Sequence, residues 1–272
     1  MRKFNTFLLA TVFAGSIFYS CDNADVSPQE EPISADVLTK ISDLGFSTEG
    51  AFRFEQGYLV ENDIYLTDAD ISRMTKPNRL PILEQYSTNE LVCGPRNITV
   101  YAPTGRRGYS AGMIAGLDLA IARYNAQNLS LTFQRVTSST GADIVMTRLS
   151  KRDENRGVLG SAGFPNNCEP YGQIKMSGIL ESTYGLSTGG IATIIGHEMG
   201  HCIGFRHTDY FDRSISCGGS TSNEGDGGVG ANHIPGTPTG ASANQKSWML
   251  ACTDGGDRPF NNDDKTALDY LY

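Results

Sequence analysis

The run His197-Glu198-Met199-Gly200-His201-Cys202-Ile203-Gly204-Phe205-Arg206-His207 holds three of the four histidines in the chain. Positions i and i+4 of a helix lie one turn apart on the same face. His197 and His201 can therefore grip one metal ion through neutral imidazoles. Zinc suits such nitrogen ligands and keeps an open fourth position in catalytic sites. Glu198 follows His197 directly, within reach of a water on the metal without being a ligand. A carboxylate there can accept the water's proton and hand it to a leaving amine. Gly204 suits the left-handed conformation that ends a helix, so the chain can turn and bring His207 back to the metal from another direction. Metal binding alone has no need of Glu198, so the string points to hydrolysis.

The flanking sequence supports a helix around this run. Ser187 or Thr188 is a suitable N-cap, and Ile191, Ile194, Ile195, Met199, Cys202 and Ile203 recur at helical spacing. Upstream, strands are expected over residues 98–101, 129–136, 142–147 and 172–176, with a helix over 109–125. The 172–176 strand is the expected sheet edge, able to hold an extended substrate by strand addition. Residues 212–246 are rich in Gly, Ser and Asn and read as long loops. A closing helix is expected from about residue 262 to 272.

The chain has 272 residues, 39% of them hydrophobic, which is enough for a packed core. Its net charge of -8 offers no basic surface for nucleic acid. Arg2 and Lys3 precede an apolar stretch, residues 4–19, that is short for a membrane span and fits a signal peptide over residues 1–20. The Ser20-Cys21 pair fits either ordinary cleavage near Ser20 or lipidation of Cys21, with residues 21–32 as a tether. The expectation is export, with anchoring in a bacterial cell envelope through Cys21 as the only membrane contact. Residues 33–90 read as a small α/β segment: a helix over 33–44, strands over 51–54 and 58–66, and a short helix over 68–74. Lys76-Pro77-Asn78 and Leu80-Pro81 then break the pattern, and a second domain is expected over 93–272. Apart from Cys21 there are five cysteines, so at most two bridges form and one thiol is left. We expect Cys93–Cys168 and Cys217–Cys252, with Cys202 buried on a helix, although spacing alone does not fix the pairing.

The HExxHxxGxxH string is the metzincin signature. Such enzymes carry a Met-turn beneath the metal, and Ser247-Trp248-Met249 matches it, with Met249 as the apolar base. The chain most resembles the bacterial HEIGH metallopeptidases, the protease B-like family, through residues 196–209, His233-Ile234-Pro235-Gly236-Thr237-Pro238 and residues 247–252. The resemblance covers about residues 93–272. It implies an α+β metzincin domain with a mixed twisted sheet, an active-site helix and a loop-rich C-terminal half. It also implies zinc endopeptidase activity. Met199 stands where the family name has Ile. Ala251 stands where astacins have a zinc-touching Tyr, so no such ligand is expected.

Two residues are candidates for holding such an enzyme latent. Val60-Glu61-Asn62-Asp63-Ile64 resembles the Phe-x-Gly-Asp switch of astacin propeptides, which makes Asp63 a metal-binding carboxylate. Cys93-Gly94-Pro95-Arg96 resembles the matrixin cysteine switch in a different order. Alternatively, residues 33–88 are a structural cap. His233 can shape the pocket, donate to a bound carbonyl, or cap a turn. The acidic loop Asn223-Glu224-Gly225-Asp226 offers oxygen ligands for Ca2+. The expected partner is a protein or peptide substrate, and a monomer is expected. The competing function is a surface-anchored binding or adhesion lipoprotein that keeps the metzincin fold without proteolysis; zinc storage is a third.

Overall fold

The computed structural model describes residues 31–74, 85–106, 108–225, 230–238 and 240–272. The signal peptide, Cys21, most of the tether, the proline-bearing breakers and Asp226 lie outside the described residues. Residues 32–272 form one compact unit.

The unit opens with α1 (Ala35–Asp43), capped by the Ser34 hydroxyl, which accepts from Val37 N. Three short strands follow, β1 (Phe52–Phe54), β2 (Gly57–Val60) and β3 (Ile64–Thr67), forming an antiparallel sheet. The expected single strand over 58–66 is instead a hairpin. Glu61 and Asn62 adopt positive φ, 54° and 74°, which reverses the chain and leaves Asp63 at the end of the turn. Short polar side chains such as Asn tolerate that conformation. Next comes α2 (Asp68–Arg73), closed at its start by a Thr67–Asp70 capping box.

After residue 85, β4 (Tyr86–Ser87) precedes β5 (Arg96–Tyr101), α3 (Ala111–Asn125), β6 (Leu131–Val136) and β7 (Ile144–Arg148). Then come α4 (Lys151–Asn155), β8 (Gly160–Ser161), β9 (Gln173–Met176) and α5 (Thr188–Ile203). The main sheet has the order β6-β5-β7-β9-β8. Its first four strands are parallel and β8 is antiparallel to β9. The mixed sheet was expected, but its edge was not. β9 is paired on both sides, so the edge strand on that side is β8, too short to announce itself by alternation.

The core lies between this sheet and the helices α3 and α5. Ile98, Val100, Phe133, Ile144, Met146, Ile174 and Met176 meet Met113, Leu117 and Tyr124 of α3 and Ile191, Ile195, Met199 and Ile203 of α5. Burying each such side chain is worth about 1.5–3 kcal/mol. The C-terminal half holds α6 (Ser214–Cys217), β10 (Asn232–His233), a 3-10 turn (Ala243–Gln245) and α7 (Asn262–Leu271). Disulfides join Cys93 to Cys168 and Cys217 to Cys252, and Cys202 is a buried free thiol on α5.

The N-terminal segment docks on the rest through two apolar clusters. Phe164 joins Phe46, Tyr58, Val60 and Ile64. Leu149 and Val158 join Phe54, Leu59 and Tyr65. The hairpin also extends the sheet edge. Ile64 bridges Ala162 in parallel, with Tyr65 N donating to Ala162 O at 2.9 Å and Ala162 N to Asp63 O at 3.0 Å. Asp63 is thereby fixed at the end of β8.

Candidate metal centre

The site is built on α5. Ser187 caps the helix by accepting from Gly190 N, and Gly204 ends it at φ 111°, a conformation that costs a side-chain-bearing residue about 1–2 kcal/mol. The turn after Gly204 is held by β4. Thr88 N donates to Gly204 O at 2.7 Å and Arg206 N to Tyr86 O at 2.9 Å. His207 returns to face the helix, and all three rings lie within 5.2 Å of one another, centre to centre.

The hydrogen bonds of the rings fix their chemistry. His197 Nδ1 lies 2.8 Å from Trp248 O, and His201 Nδ1 lies 2.8 Å from Phe205 O. A carbonyl oxygen only accepts, so each Nδ1 carries the proton and each Nε2 presents a lone pair. These two Nε2 atoms are 3.0 Å apart. Two lone pairs at that distance call for a cation, and tetrahedral zinc at about 2.0–2.1 Å from each nitrogen gives a similar spacing. Burial, then the neighbouring His197 and His207, push the His201 pKa well below its usual value, which keeps the ring neutral. Burial also disfavours a charged His207. Even so, Asp63 and Glu224 on its two sides raise its pKa well above the usual range. A metal ion at Nε2 answers the same demand for positive charge.

A fourth group that could serve as a ligand stands beside the rings. Asp63 Oδ2 lies 3.1 Å from His207 Nε2 and 3.5 Å from His197 Nε2. Asp63, His197, His201 and His207 are all buried, with ligand atoms within 4.8 Å of one another. The three nitrogens and one oxygen suit tetrahedral zinc. Burial opposes charge on Asp63, but the attraction of His207 beside it holds its carboxyl well below the usual range. Glu198 stands beside this cluster. Burial first, and then the charge of Asp63, push its pKa well above the ordinary value. Among the described residues, Asp63 Oδ1 and Glu198 Oε2 are buried and have no hydrogen-bond partner, a cost of about 1–3 kcal/mol each that a metal or a water beside them would remove.

Met249 lies beneath the helix. A Cβ on Gly200 would come within 2.6 Å of its Sδ, so the sulfur packs directly on the backbone between the first two ligands. Trp248 is buried and donates from Nε1 to Tyr124 Oη at 3.1 Å. A cavity of about 490 Å³ adjoins the metal ligands, with Thr193, Ile194, His197, Glu198, Leu250 and Arg258 in its wall.

The other sequence candidates fall elsewhere. Cys93 is in a disulfide and is unavailable as a switch. His233 sits on β10, paired with β4, and its Nε2 lies 3.2 Å from Thr237 Oγ1. Glu224, the calcium candidate, is turned to His207. It is buried and lies 2.8 Å from His207 Nδ1. Sequence reading missed that partnership, because Glu224 sits in a glycine-rich loop with no periodic pattern.

No curated protein matches the chain. Two solved structures of myroilysin align with it at 16% identity, with TM-scores of 0.39 and 0.38. Those alignments cover 67% and 65% of this chain and 96% and 83% of the other. A buried His-rich cluster that could hold a metal ion is present, and the model of the dual-action HEIGH metallo-peptidase family matches residues 58–272; the chain belongs to this family of metallopeptidases.

Proposed function

We propose that the protein is a zinc-dependent endopeptidase held latent by its own N-terminal segment. The observation that carries this reading is the convergence of three imidazole Nε2 atoms with the Asp63 carboxylate, next to Glu198. His197, His201 and His207 would hold the zinc, which would supply polarisation of a peptide carbonyl and a lowered pKa for water. Glu198 accepts the proton from the attacking water and passes it to the leaving nitrogen. The backbone edge of β8 aligns an extended substrate by strand addition, and the cavity beside Glu198 receives a side chain next to the cut bond.

Asp63 occupies the position the catalytic water needs. Burial first, and then the charge of Asp63, raise the Glu198 pKa well above its ordinary value, which works against its service as a general base. Residues 33–90 thus act as a propeptide for the catalytic domain, 93–272. Export and anchoring through Cys21 complete the reading; Cys21→Ser is expected to release the protein from membranes.

The test is cleavage of an unfolded protein by the chain trimmed of residues 22–90, with and without a zinc chelator, beside Glu198→Ala. Chelator-sensitive cleavage lost in the variant is the expected result, with a fall of about 10²–10⁴ in rate. A trimmed, zinc-loaded chain that cuts nothing would instead favour a binding protein.

A further inference from the structure

The third metal ligand is supported differently from the first two. His197 and His201 lean on backbone carbonyls, but His207 Nδ1 lies 2.8 and 2.9 Å from the two oxygens of Glu224. Glu224 is itself buried and shared. Arg213 Nε lies 2.9 Å from its Oε1, and Arg206 Nη2 lies 3.8 Å from its Oε2. The same Arg206 nitrogen lies 3.8 Å from Glu61 Oε2, on the N-terminal hairpin. Glu61, Arg206 and Glu224 are each at most 1% exposed. Arg206 also donates to Gly230 O and Gly225 O at 3.4 and 3.3 Å, and it lies over the ring of Phe46.

We propose that Glu224 is a positioning residue for the third metal ligand, and that Glu61 of the N-terminal segment completes its support through Arg206. This rests on the metal reading above. Metal-ligating histidines hold their tautomer and orientation through the hydrogen bond of the other ring nitrogen, and a carboxylate there makes the ring a stronger ligand. Glu224 is the only carboxylate touching an Nδ1 of the three ligands among the described residues.

Shared contacts explain the part played by Glu61. Two buried acids, Glu61 and Glu224, meet the same Arg206 nitrogen, and Glu224 also meets Arg213. Glu61 helps to seat Arg206 beside Glu224, so without it Glu224 is held less firmly behind His207. The N-terminal segment therefore reaches the metal by two routes: directly through Asp63, and from behind the ring through Glu61, Arg206 and Glu224. Glu61 and Asp63 lie on the same hairpin turn, so the two routes are engaged or released together.

The experiment is zinc affinity of the full-length chain by competition with a chelator, for wild type, Glu61→Gln, Glu224→Gln and the double variant. Glu224→Gln is expected to weaken zinc binding about ten- to hundredfold. Glu61→Gln is expected to weaken it less, and to add nothing further in the Glu224→Gln background. The rise in melting temperature on zinc loading should shrink in Glu224→Gln, whereas a purely structural role lowers the metal-free and metal-loaded forms alike. Zinc affinity within twofold of wild type in Glu224→Gln, or a Glu61→Gln loss that multiplies in full in the double variant, overturns the proposal. A second measurement needs no variant. Nitrogen-15 NMR of the zinc-loaded wild type should show His207 protonated at Nδ1; a proton at Nε2 sinks the idea. If the wild-type chain binds no zinc at all, the metal reading itself fails, an outcome distinct from either.

Discussion

Asp63 Oδ2 lies 3.1 Å from His207 Nε2, although the two residues are 144 positions apart in the chain. A buried, charge-assisted contact of this kind is worth about 1.5–3 kcal/mol. Asp63→Ala in the full-length chain should therefore raise peptide cleavage about ten- to hundredfold. The rate on a quenched peptide, before any trimming of the chain, is the measurement. A variant as silent as wild type would show that latency lies elsewhere.

Gly200 and Met249 are in direct contact, and a Cβ at position 200 would fall 2.6 Å from the sulfur and 3.3 Å from Trp248 Nε1. Gly200→Ala forces these side chains outward, an overpacking cost of about 1–3 kcal/mol. Loss of folding stability and weaker zinc binding should appear together. Denaturant unfolding and chelator competition on the one variant read both, and a change in stability alone would separate Met249 from the metal site.

Asp264 lies in the first turn of α7 and ties it to the Met249 turn. It accepts from Gln85 Nε2 at 2.7 Å and from Trp248 N at 3.4 Å. Burial raises its pKa to about 6, against the contrary pull of its hydrogen bonds. The unfolded chain loses this proton near the ordinary carboxylate value, and the folded chain holds it to about pH 6. The stabilisation is thus complete below the ordinary value and disappears as pH rises through about 6. The gap amounts to about 3 kcal/mol. Relative to Asp264→Asn, the wild type should lose about that much between roughly pH 4 and 7. A pH-independent difference in unfolding free energy would contradict this.

The Cys217–Cys252 bridge closes a separation of 35 residues, and Cys252 stands in the wall of the cavity beside Glu198. Loop closure of this length is worth about 3–4 kcal/mol. Replacing both cysteines with serine should lower stability by that order and raise KM more than it lowers kcat, because the cavity wall loosens while the ligands stay. Steady-state kinetics on the trimmed chain would show the split, and an unchanged KM would detach the bridge from substrate binding.

Much of the site was legible because its determinants are local. The ligands share one helix and one turn, and Ser187, Gly204 and the apolar spacing of Ile191, Ile195 and Met199 set that helix from within. Asp63 was legible as a candidate, but its reach depends on a reversal at Glu61 and Asn62 that strand-like alternation over 58–66 concealed. The β8 edge has two residues, too few for any period. Glu224 was read as a calcium ligand, since a carboxylate in a glycine-rich loop looks solvated until the fold closes over it. For β8 and Glu224 the deciding partner is remote in sequence, whereas the hairpin turn at Glu61 and Asn62 is local but carries no glycine to announce it.

The order of these parts along the chain has its own meaning. The hairpin bearing Asp63 comes first, the histidines of α5 follow, and the Trp248 carbonyl that orients His197 lies 51 positions later still. On the proposed latency, synthesis from the N-terminus makes the plug before the bore it closes. A finished hydrolytic centre would then at no stage stand open beside the rest of the growing chain.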